Sequence, residues 1–157
     1  MQKGSLYAHI AGKQDLLYET MLVGARAFHA ALDELPERAP ATEKIRLALR
    51  AHLRLVADQL AVATVFVREW RSLDADRREE ILGERRRYEE RIRALFREGR
   101  EGGELRTDLN ENAAALLFLS AANWAYSWLH PGDDTDAIAD GFFALLVDGM
   151  RGYDTPV

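Results

Sequence analysis

The sequence predicts an all-α protein, a multi-helix bundle built as one soluble domain. Three observations carry this. Apolar residues return at steps of three and four along almost the whole chain, and no stretch alternates with the period of a strand. Acidic or amide residues stand where periodic runs begin, and glycine or proline where they stop. The 157 residues, 48% hydrophobic and 30% charged, are enough to bury one core without disulfides, in keeping with a chain that has no cysteine.

The first long run, 13–35, puts Leu17, Met21, Ala25, Phe28, Leu32 and Leu35 on one face. Ahead of it, a short helical end closes near Ile10, and a tight turn is expected at Gly12 and Lys13. Pro36 and Pro40 bound a connection. The second helix, 42–59, keeps Ile45, Leu49, His52, Leu53 and Val56 in register. The third, 61–70, brings Phe66, Val67 and Trp70 together.

Asp74 reads as an N-cap, with Asp76 in the first turn of the helix 75–100. That helix is the most charged, with an apolar stripe of Ile81, Tyr88, Ile92, Leu95 and Phe96. Gly99, Gly102 and Gly103 end it. Asp108 or Asn110 caps a fifth helix running to about His130, Pro131 and Gly132 turn the chain, and a sixth helix fills 133–150.

The fifth helix contains an uncharged run, 113–129, that includes Ser120, Asn123 and Ser127. A membrane span needs about 20 apolar residues, so this run is read as a buried helix, with no membrane partner and a cytoplasmic location. Being apolar all round, it requires cover on every side. A second copy supplies that cover in the expected homodimer, through Leu116, Phe118 and Leu119 with Phe142, Leu145 and Leu146. The competing arrangement is a central helix in a monomeric bundle.

Composition also bounds the function. The net charge is −5, and the acidic excess falls in the last third of the chain, so there is no basic face of the kind nucleic-acid binding needs. The histidines His9, His29, His52 and His130 have no paired metal-ligand spacing, and no glycine-rich phosphate loop or serine triad is legible. An enzyme is therefore not expected, and neither a metal nor a cofactor is.

The opening segment, "KGSLYAHIAGKQDLL", carries Gly4, Leu6, Tyr7, His9, Lys13 and Leu16 at fixed spacing, with Ile10 between. It resembles the end of the DNA-binding region in the TetR/AcrR family of bacterial repressors, where the position of Ile10 is usually Phe. The resemblance implies that Gly4, Tyr7, His9 and Lys13 approach phosphates, Lys13 beside the N-terminus of its helix. It also implies that Gln2, Lys3 and Ser5 face the major groove or its walls. Residues 1–12 would then be the remnant of a recognition helix and turn, and 13–157 the ligand-binding and dimerisation domain. The family places two more helices before this point, and a helix-turn-helix needs them to seat its reader. Operator DNA is thus expected as a partner only of a full-length form.

The segments 68–99 and 123–132 resemble the branch of that family that senses acyl-CoA thioesters in fatty-acid or steroid breakdown. The residues alone point to a small-molecule pocket: aromatic mass at Trp70, Tyr88, Trp124, Tyr126 and Trp128, joined by Phe66, with His52 on the inner stripe of its helix, either a ligand contact or a satisfied core histidine, and Asn123 in the all-apolar helix. Arg68 and Arg71 flank Trp70 near the expected mouth. Plain core or interface remains the competing reading for each aromatic. The run Arg85–Arg87 with Arg91 reads as a solvated face paired to Glu84, Glu89 and Glu90, the alternative being a phosphate clamp. A further alternative is a dimerisation-only module that has lost its DNA reader.

Overall fold

The computed structural model describes the backbone of residues 3–150 and the side chains of 12–150. Six α-helices follow one another: α1 Lys3–Asp33, α2 Ala41–Asp58, α3 Leu60–Arg68, α4 Ala75–Glu101, α5 Glu111–Trp124 and α6 Thr135–Asp148. Single 3-10 turns, Trp70–Ser72 and Ala125–Ser127, precede α4 and follow α5. No strand occurs among the described residues.

α2 is the axis, since it touches each of the other five helices. Its face of Ile45, Leu49, Leu53 and Val56 is buried against Ile92 and Phe96 of α4 and Ala115, Phe118 and Ala122 of α5. Burying a side chain of this size stabilises by about 1.5–3 kcal/mol. A second cluster, Met21, Leu22, Leu73 and Ile81, locks α1 to the corner where α3 turns into α4, with Phe66 and Trp70 packed on it.

The side-chain caps are local at three helices. Asp74, Asn110 and Asp134 accept from the backbone N–H groups of Arg77, Ala113 and Ala137 at 3.0–3.1 Å. α2 begins at Pro40, which has no capping side chain. Its first N–H groups, on Ala41 and Thr42, donate instead to the Glu104 carboxylate from the loop after α4, at 2.8 and 2.9 Å. Arg46, Arg50 and Arg54, one helical turn apart on α2, face Asp136 and Asp140 on α6, with Arg50 Nε donating to Asp140 at 2.7 Å and Arg54 Nε to Asp136 at 2.7 Å. These charges orient the last helix on the second.

Two expectations are corrected here. The turn at Gly12 and Lys13 is absent: α1 runs unbroken from Lys3 to Asp33. Glycine within a helix costs only about 1 kcal/mol, and Ala11, Lys13 and Gln14 beside it are good helix formers. Lys13 is therefore exposed mid-helix, away from any helix N-terminus. The helix expected to reach His130 stops at Trp124. The side chains of Gln2, Lys3, Gly4, Ser5, Tyr7 and His9 lie outside the described residues.

Candidate functional site

A cavity of about 250 Å³ lies among α1 to α5. Each helix brings its inner face to it: Ala25, Phe28 and His29 from α1, His52 and Val56 from α2, Ala63, Phe66 and Val67 from α3. α4 adds Glu84, Arg85, Tyr88 and Glu89, and α5 adds Leu116, Leu119, Ser120 and Asn123. The deep end, at His52 and Val56, is buried. Leu116 and Ser120 are exposed, so the cavity opens to solvent beside α5.

At the deep end, the His52 ring stacks at a tilt on Phe28, with centroids 4.6 Å apart, and its Nδ1 lies 3.1 Å from the Tyr88 hydroxyl. Burial holds the His52 pKa down at about 4, with the neighbouring Asn123 amide opposing that shift, so the ring is neutral at pH 7. Burial also raises the Tyr88 pKa, against the pull of Arg91. His52 Nε2 is buried on the cavity side and makes no hydrogen bond of ordinary geometry. The deep end is thus largely apolar with a neutral polar group at its floor, while the α4 wall carries Glu84, Arg85 and Glu89.

Arg85 brings a cation to the α4 wall. Its guanidinium lies 5.8 Å from the Phe66 ring and 5.6 Å from the Trp70 ring, with no carboxylate in ion-pair range among the described residues. Desolvation first, and Arg71 second, lower its pKa. Beside it, His29 Nε2 sits 3.2 Å from Glu84, and Arg91 donates to the His29 carbonyl at 3.0 Å and to Asp33 at 2.5 Å, joining α1 to α4 along the cavity wall.

Of the residues expected at a pocket, His52, Phe66, Tyr88 and Asn123 meet at this cavity. Trp70 does not line it; it packs on the second cluster with Arg71 stacked over it at 4.4 Å. Arg68 is exposed, 5.6 Å from the Tyr126 ring. Trp124 is 62% exposed, because one residue beyond Asn123 the helix has turned by 100°. Trp128 follows the 3-10 turn and packs on Phe142. Phe28, Arg85 and Ser120 line the cavity without having been anticipated there. Arg85 had a signal: Ile81, Arg85, Tyr88 and Ile92 share one helical stripe, so Arg85 occupies an inner position. Arg86, Arg87 and Arg91 pair with Glu79, Glu84 and Asp33, as a solvated face would.

The residues expected at a dimer interface divide. Leu116 and Leu145 are 63% and 79% exposed, and Leu117 and Trp124 join them as exposed apolar groups. Phe118 and Leu146 are buried in the protein's own core, while Leu119 and Phe142 pack against it. α5 is apolar all round, but α4 and α2 cover only the side that carries Ala115, Phe118 and Ala122.

Residues 38–150 match the family model of the tetracyclin repressor-like C-terminal domain. The fatty acid metabolism regulator protein of Bacillus subtilis (strain 168) is 24% identical over 152 residues, which is 94% of this chain and 78% of that protein. Among solved structures, the TetR family transcriptional regulator PfmR from Thermus thermophilus is similar with a TM-score of 0.82 and 27% identity, over 97% of this chain and 84% of that one. AibR, solved with isovaleryl coenzyme A and operator DNA, is similar with a TM-score of 0.77 and 26% identity, over 94% of this chain and 81% of that one.

Proposed function

The chain belongs to the TetR family of transcriptional regulators through its C-terminal domain, and from that premise we propose that it is the effector-sensing and pairing part of such a regulator, with residues 13–157 as that domain. The observation that carries this reading is the cavity: mainly apolar at its deep end, charged on the α4 wall, walled by five helices and open beside α5. Its effector is a hydrophobic small molecule, and an acyl-CoA thioester is the favoured class. AibR was solved with one, and the Bacillus subtilis relative is a regulator of fatty acid metabolism.

The mechanism is a population shift. An occupant prefers one arrangement of the wall helices and favours the state that provides it. α1 is the lever. It gives Phe28 and His29 to the wall, and about four turns before them Gln14 and Asp15 are tied to the α3–α4 corner. Its tilt would set the spacing of two recognition helices in a dimer, and half-site spacing is a strict geometric requirement. DNA contacts in a full-length form are assigned to Lys3, Gly4, Ser5, Tyr7, His9 and Lys13. Pairing is homodimeric, through the exposed apolar side of α5 with Leu145 of α6. The setting is cytoplasmic; no helix among the described residues is long and apolar enough to cross a membrane.

The test is thermal stability of the chain against a panel of acyl-CoA thioesters and free fatty acids. A ligand at 100 times its Kd adds about 2.7 kcal/mol. Stability that no lipid-like compound changes would remove the effector reading. The dimerisation-only module, favoured by the exposed Leu116, Leu117, Trp124 and Leu145, would then be left.

A further inference from the structure

We infer that the floor of the cavity is built to receive a carbonyl oxygen, with the His52 Nε2–H as the donor. This rests on the reading of the cavity as an effector site, and it narrows the effector to compounds that carry a carbonyl into apolar surroundings: thioesters or ketones rather than plain hydrocarbon ends.

The argument starts from Tyr88. Its hydroxyl is deeply buried, and its hydrogen-bond contact is His52 Nδ1 at 3.1 Å. A buried O–H left without an acceptor costs about 1–3 kcal/mol. Tyr88 therefore donates to Nδ1. A neutral imidazole holds one proton, so with Nδ1 accepting, that proton sits on Nε2. Phe28 and Phe118 pack against the ring at 4.6 and 6.3 Å and limit its rotation. Nε2 is thus a fixed, buried donor on the cavity side; the Asn123 amide stands beside the ring and opposes the fall in its pKa, but makes no hydrogen bond of ordinary geometry to Nε2. Buried polar groups are satisfied in the great majority of cases, and here the missing partner has space to sit in. A neutral acceptor matches the neutral imidazole; the cation of the cavity, Arg85, stands on the α4 wall beside Phe66 and Trp70. Asn123 also lines the cavity beside the His52 ring, so a bound carbonyl oxygen takes the Nε2–H in competition with the Asn123 side-chain oxygen.

The experiment uses two matched pairs of probes on the full chain, followed by calorimetry. Octanoyl-CoA is compared with S-octyl-CoA, the thioether that lacks the carbonyl. 2-Octanone is compared with 2-methyl-1-octene, its methylene isostere. In at least one pair the carbonyl compound should bind tenfold or more tightly, and that preference should fall to within twofold in His52→Phe. Tyr88→Phe, which keeps the ring in place and frees the tautomer, should also narrow it, and serves if His52→Phe does not fold. The pair that responds tells thioester from ketone. Equal binding within both pairs would overturn the inference and leave the effector cavity standing. Binding of no member of either pair would overturn both. Nitrogen NMR of the unliganded chain that puts the His52 proton on Nδ1 would overturn the inference by itself.

Discussion

Tyr88 of α4 and His52 of α2 meet through Oη and Nδ1 at 3.1 Å, across the middle of the bundle and beneath its cavity. The pair joins the axial helix to the most charged helix in the chain by a neutral contact.

That contact has a pH signature. The His52 pKa is about 4 in the folded chain against an ordinary 6.5. The unfolded chain therefore takes up a proton that the folded chain refuses between those values. Stability is full above about pH 6.5, falls as pH drops toward 4, and loses nothing more from this group below that. Linkage makes the loss about 3 kcal/mol over the whole window. Urea unfolding at pH 7 and pH 4.5 measures it. The double variant His52→Phe/Tyr88→Phe, which leaves no orphaned hydroxyl, should flatten the slope in this window. An unchanged slope would mean that His52 takes up its proton as readily in the folded chain as in the unfolded one.

Glu104 gives a second prediction. Burial alone would raise its pKa, but the hydrogen bonds from Thr42 and Ala41 outweigh that and hold the carboxyl below its ordinary value. The carboxylate caps α2 from the loop after α4, distant only along the chain, so Glu104→Ala should cost about 1–2 kcal/mol, as loss of a local cap does. Thr42→Ala, which keeps both backbone donors, should cost less. Chemical denaturation of the two variants checks the order; a larger loss in Thr42→Ala would show that the hydroxyl, not the cap, matters.

These two sites mark what could be read from the residues and what could not. Periodicity revealed each helix because a half-covered helix must keep one apolar face, and the α2 stripe of Ile45, Leu49 and Val56 is such a face. His52 and Tyr88 were legible as inner positions for the same reason. α5 was not legible in detail: a helix apolar on every side has no preferred face, so its sequence does not tell Phe118, in the core, from Leu116, exposed. Glu104 capping α2 depends on two segments meeting more than 60 residues apart, which no local pattern encodes. Arg85 was hidden among Arg86 and Arg87, although a helical step of 100° separates its surroundings from theirs.

Gln14 is the most direct handle on the proposed lever. Its side chain donates to the Ser72 carbonyl at 2.8 Å and accepts from the Asp74 N–H at 3.0 Å, holding α1 to the start of α4. Gln14→Ala should leave effector affinity within about twofold, since Gln14 does not line the cavity. It should speed amide exchange over residues 12–18, where the contact is lost. Exchange in that segment that ligand slows in the wild type but not in Gln14→Ala would tie the cavity to the lever through this residue. Identical exchange in both proteins would remove Gln14 from the path.

Leu145 separates pairing from sensing. It is 79% exposed on α6 and does not line the cavity, whereas Leu116, also exposed, stands at the cavity mouth. A carboxylate placed inside an apolar interface must be desolvated without a partner, which costs several kcal/mol. Leu145→Glu should therefore convert the homodimer to a monomer in sedimentation while the monomer's fold, followed by circular dichroism, is kept. A second copy lying on α5 would also cover the mouth at Leu116 and Ser120, so occupancy and pairing should be linked, and linkage acts equally in both directions. Effector affinity should then change with protein concentration in the wild type, upward if the partner encloses the effector and downward if it blocks the mouth, and stay constant in Leu145→Glu. If the wild type sediments as a monomer at tens of micromolar, pairing through this face fails; if it pairs but affinity is independent of concentration, the mouth stays open in the dimer.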